Sequence, residues 1–104
     1  MQELPIVCKH SCSYTYAKVT KYRPLYVLLL EYDAAENRYY ANFVKEDGRL
    51  YGRHYDRWVS WDAETIRELQ ISMDNLPEKV LRTVHEQIEV FEEVNKRCHI
   101  NKRK

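Results

Sequence analysis

The chain has 104 residues, a formal net charge of +1 and 44% hydrophobic residues, enough apolar material for one packed domain over residues 1–104. With only 2 Gly and 3 Pro, and with charged residues at 32%, disordered, low-complexity and collagen-like classes are excluded. The near-neutral balance excludes a polycation that coats nucleic acid along its whole length.

The longest apolar run, Leu25-Tyr26-Val27-Leu28-Leu29-Leu30, falls far short of the ~20 residues a membrane helix needs. No membrane partner is expected, and no signal peptide is read at the start of the chain. Cys8, Cys12 and Cys98 are an odd set of thiols in a chain large enough not to need disulfides, so a reducing cytoplasm is the expected compartment. Glycine-rich phosphate loops, nucleophile elbows, zinc-protease helices and calcium loops have no match.

Residues 12–20 are rich in Tyr, Thr and Val and read as a strand, broken at Arg23-Pro24. Residues 25–33 are the next strand. The Ala34-Ala35-Glu36-Asn37 turn leads to a third over 38–45. Asp47-Gly48 then suits a two-residue type I′ turn into a strand over 49–58. Ser60 or Asp62 can cap a helix over 62–74, where Ile66, Leu69 and Met73 recur three and four apart. Pro77 opens a second helix over 76–98, with Asn75 and Glu78 in capping-box spacing and an apolar stripe through Val80, Leu81, Val84, Ile88 and Phe91. Residues 99–104 are a basic tail. The order predicts an α+β domain: an antiparallel meander of three to four strands, then two helices packed on one face.

That turn assignment fixes a register. It pairs Val44 with Tyr51, Asn42 with Arg53, Tyr40 with Tyr55 and Arg38 with Arg57. Arg49, Tyr51, Arg53, Tyr55 and Arg57 then share a face with Arg38, Tyr40 and Asn42, opposite an apolar face of Leu28, Leu30, Ala41, Phe43 and Leu50. Alternating Arg and Tyr on a solvated face is ordinary, because the stems stack while the heads stay wet. Tyr and Arg are also the residues that anchor protein interfaces, and they suit single-stranded nucleic acid, with phosphates on Arg and bases on Tyr. A one-residue slip at Asp47-Gly48 would turn the row inward.

Other constellations weigh less. Cys8, His10, Cys12, Cys98 and His99 are zinc-ligand types, but adjacent Cys98 and His99 rarely both reach one ion, and neither metal nor cofactor is expected. His54 and Asp56 fall two apart on one strand face, half of an acid–base pair with no nucleophile beside it. His54 also points away from Arg53 and Tyr55, which argues against a small RNA-processing enzyme. Glu86, Glu89, Glu92 and Glu93 form an acidic helical ridge. Such a ridge is usually a solvated face, and it can also imitate phosphate before a nucleic-acid enzyme.

The sequence thus favours a non-enzymatic binding protein that acts by protein contact, of the inhibitor, immunity, antitoxin-like or counter-defence type. A nucleic-acid-binding module built on the Arg/Tyr face is the alternative. A bare sheet edge near residues 14–20 could pair two chains into a homodimer.

Overall fold

The computed structural model describes residues 4–51 and 58–102. Strands β1 (Ile6–Tyr16), β2 (Val19–Asp33), β3 (Arg38–Lys45) and β4 (Trp58–Val59) form one antiparallel sheet in chain order. Helix α1 (Ala63–Leu69), a short 3-10 turn (Met73–Asn75) and helix α2 (Glu78–Lys102) follow. The α+β class and the order of strands before helices are those read from the sequence.

The two helices do not share a face. Side chains alternate along β1 and β2, so Val7, Tyr26 and Leu28 pack with Val80 and Val84 of α2, while Ile6, Cys8, Val27 and Leu29 pack with Ile66 of α1. The chain crosses between faces at Gln70-Ile71, where Gln70 bridges to Cys8 and the Ile71 N–H donates to the Val7 carbonyl at 2.9 Å. This crossing is why the first helix stops at Leu69 rather than at residue 74. Asp62 caps α1, accepting from the Thr65 N–H at 2.8 Å. Those bonds hold its carboxyl below the usual carboxylate range. Asn75 ends the 3-10 turn, and the Pro77 carbonyl accepts the Leu81 N–H as α2 begins.

The first hairpin differs from its expected form. Ala17 and Lys18, with φ of 52 and 65 degrees, make a two-residue turn between Tyr16 and Val19, both central residues having the positive φ that a type I′ turn requires. Residues 12–20 are therefore a hairpin tip and not one strand. Pro24 does not break β2, because β3 ends opposite Leu25. Beyond that point β2 has no neighbour on the β3 side, and a missing N–H there costs no ladder bond.

Two local irregularities reset the sheet register. Asp33 pairs with Arg38 and Tyr32 with Tyr39, but Leu30 is an extra residue between Leu29 and Glu31. From that bulge on, Leu28 lies opposite Asn42, where an unbroken ladder counted from Asp33 and Arg38 would put Phe43. At the next turn the Gly48 N–H donates to the Lys45 carbonyl and the Lys45 N–H to the Arg49 carbonyl. With Gly48 at φ 89 degrees, this is a three-residue loop with a glycine bulge, not a two-residue turn. It pairs Val44 with Leu50 instead of Tyr51.

Candidate functional site

Among the described residues, the shift at Gly48 separates Arg49 and Tyr51 from Arg38, Tyr40 and Asn42. Tyr40 and Asn42 do come together, but beneath α2, with Arg38 beside them on Trp58. Asn42 is buried, and its side-chain amide donates to the Gln87 side-chain oxygen at 2.9 Å. Tyr40 meets Trp58 edge-on at 5.3 Å and stacks on Phe91 at 6.0 Å between ring centres. The Arg38 guanidinium lies 4.1 Å from the Trp58 ring centre, and its Nε is 3.3 Å from Asp33 Oδ2. Arg49 is exposed and paired with Asp47 at 3.7 Å. Tyr51 is exposed, with Lys45 Nζ 5.5 Å from its ring centre. Because Leu50 is the bridge partner of Val44, Tyr51 falls on the face opposite Tyr40 and Asn42. Arg53, Tyr55 and Arg57, with His54 and Asp56, lie outside the described residues.

Cys8 sits in the apolar layer under α1, fully buried, with Sγ 3.8 Å from the Ile66 carbonyl oxygen. Burial pushes its thiol up to about 11 from an ordinary 9.0, so the free thiol stays protonated at neutral pH. His10 packs against Trp61 at 5.9 Å. The side chains of Cys12, Cys98 and His99 fall outside the described set. Among the described residues, no three of His, Cys, Asp and Glu gather where they could hold a metal ion. Glu86, Glu89, Glu92 and Glu93 are exposed along α2. Beside them a groove of about 320 Å³ opens between α2 and the sheet, walled by Glu31, Tyr40, Trp58, Val90, Phe91 and Val94.

A different surface has the clearer geometry. Past Leu25, β2 pairs only with β1, and the two run out as a ribbon to the Ala17-Lys18 turn. Residues 17–23 are exposed without interruption. Successive strand residues face opposite ways, so neither side of the ribbon is covered. The molecule measures 56 × 29 × 27 Å, and its radius of gyration of 15.0 Å exceeds the ~13 Å of a compact chain of this size. Lys18, Lys21 and Arg23 stand on the ribbon with Tyr22, which is 72% exposed, and Lys9 lies near its base. No Asp or Glu occurs between Glu3 and Glu31. Lys9, Lys18 and Lys21 have no carboxylate partner among the described residues.

This acid-free stretch is visible in the sequence. It is lost when charge is summed over residues 1–60, where nine Lys/Arg stand against seven Asp/Glu, because those acids cluster after Leu30. Comparison with protein-family models, with curated proteins and with solved structures found no match to this chain.

Proposed function

We propose that this chain is a non-enzymatic binding protein whose contact element is the β1–β2 ribbon, and that the ribbon takes single-stranded nucleic acid. The observation that carries this reading is the segregation of charge. A solvated ribbon bears Lys18, Lys21 and Arg23 with no acidic residue, while the acids among the described residues lie on the body of the fold. Flexible cations of this kind neutralise phosphates, and an exposed Tyr22 offers a ring on which a base can stack.

The test is fluorescence anisotropy with a labelled oligonucleotide of mixed sequence across a salt series. Tyr22→Ala is expected to weaken binding by about tenfold, within the usual range for one stacked base. Replacing Lys18 and Lys21 together with Gln lowers the salt slope by about 1.4 for a single strand. An affinity that neither change moves overturns the reading.

A second reading, contact with another protein as an inhibitor or regulator, is favoured by Val90 and Val94. They are 54% and 50% exposed at the groove beside the acidic ridge of α2. It predicts a discrete protein partner that survives nuclease treatment in a pull-down and is lost on Val90→Asp. The ribbon reading predicts that nuclease removes what is captured.

A further inference from the structure

The outer edge of β1 is closed only at its base. There the Val7 carbonyl accepts the Ile71 N–H, and Cys8 bridges to Gln70. Among the described residues nothing else pairs with that edge, and β1 is the outermost strand of the sheet. A two-residue turn is closed by a hydrogen-bonded pair, here Tyr16 with Val19. Every second residue of β1 from Tyr16 back therefore bonds inward to β2. The residues between them, Ser11, Ser13 and Thr15, aim their backbone N–H and C=O groups outward. The Val7 carbonyl, which reaches out to Ile71, belongs to the same series.

Natural edge strands are guarded by lysines, prolines or bulges. Residues 10–16 read His-Ser-Cys-Ser-Tyr-Thr-Tyr, with no Lys, Pro, Gly or acid. Their pairing to β2 is unbroken by any bulge. Lys9 stands nearer the base of β1, and the other cations of the ribbon lie on the turn and on β2.

We infer that the occupant of this edge is the β1 strand of a second copy of the chain, antiparallel about a two-fold axis at Ser13. Three observations favour a second copy over an unrelated strand. The open stretch is centred on Ser13, a residue whose backbone groups face outward, so Ser13 pairs with Ser13 and Ser11 with Thr15, as an antiparallel ladder requires. No charge opposes a like charge across residues 10–16. The elements that could obstruct approach meet β1 towards its base: α1 and the Gln70 crossing at Val7 and Cys8, and Trp61 at the His10 ring, on a face of the strand and at the first residue of the open stretch. Two ribbons then form one four-stranded platform with Lys18, Lys21 and Arg23 from each copy. That consequence, though not the dimer, rests on the nucleic-acid reading above.

Sedimentation velocity of the full chain without nucleic acid tests the inference. The mass is expected to rise with concentration from 12.6 kDa towards double that value. Ser13→Pro, which removes an outward donor and no bond to β2, is expected to hold the chain as a monomer. Thr15→Lys does the same without a backbone change, and keeps the test decisive if the proline disturbs the ribbon. A wild-type chain that stays monomeric at every concentration overturns the proposal. So does a dimer that persists in both variants with an unchanged circular dichroism spectrum. A dimer that binds no oligonucleotide supports this proposal and overturns the nucleic-acid reading. A monomer that binds one does the reverse.

Discussion

The two ends of the first hairpin share a backbone ladder and little else. At the base, residues 6–8 of β1 and 26–30 of β2 are buried on both faces, between α1 and α2. At the tip, residues 17–23 are exposed on both faces. The base is held by apolar burial, which contributes roughly 25 cal/mol per Å². The tip is held by main-chain bonds and its turn, which alone leave a two-stranded ribbon marginal in water. The same strands thus supply a rigid foundation and an accessible reach.

Substitutions can break this contrast, and the largest effect is expected in the foundation. Leu28→Ala removes a fully buried side chain from the centre of the α2 layer and is expected to cost about 3 kcal/mol in denaturant unfolding. Val19→Ala at the tip should stay within about 0.5 kcal/mol in the same experiment. Equal effects would show that the ribbon is packed in solution.

Gly48→Ala comes next, at about 2 kcal/mol. The residue has φ 89 degrees, a region that costs roughly 1–2 kcal/mol for a residue with a β-carbon. The added carbon would also lie 2.7 Å from the Lys79 carbonyl oxygen. The Thr83 hydroxyl donates to the Gly48 carbonyl beside it, so the loss should appear as α2 loosening from the hairpin. Asn42→Ala should cost about 1–2 kcal/mol, because it strands the Gln87 side-chain oxygen in a part-buried site. Its effect is confined to the foundation.

The smallest contrast is one of pH. Cys8 holds its proton up to about 11 when folded, against 9.0 ordinarily, and burial raises Tyr26 in the same direction. The unfolded chain releases these protons first as pH rises. The Cys8 contribution to stability is therefore whole below pH 9 and fades between 9 and 11, and the Tyr26 contribution begins to fade only as pH passes 10. A urea series over that window should show the midpoint falling, and Cys8→Ala should flatten part of the fall. Alkylation of Cys8 at neutral pH should proceed only as fast as the base of the hairpin opens.

The sequence made the elements legible more readily than their faces. The stripe from Val80 to Phe91 places α2, and the acids and Asp62 place the start of α1. The run Leu25–Leu30 has no polar face, which is the mark of a strand covered on both sides. It was the signal that the helices divide between faces. The turn at Ala17-Lys18 carries no Gly, Asn or Asp to announce it. The bulge at Leu30 and the three-residue loop at Gly48 each move the pairing by one residue, and a period of two turns each shift into an exchange of faces. Of the Arg/Tyr row, Arg49 and Tyr51 lie within the described residues, and the loop at Gly48 sets them across the sheet from Tyr40 and Asn42.

The crossing at Gln70-Ile71 sets a limit on assembly. It occupies the first rungs of the β1 edge and leaves a stretch of fixed length. A copy that pairs along that stretch uses up the same stretch of its own, so the symmetry closes at two. An edge open from end to end would admit a staggered neighbour and then another, which is how a filament grows. In the dimer proposed above, the strap that carries the chain from one helix to the next would act as a stop against polymerisation.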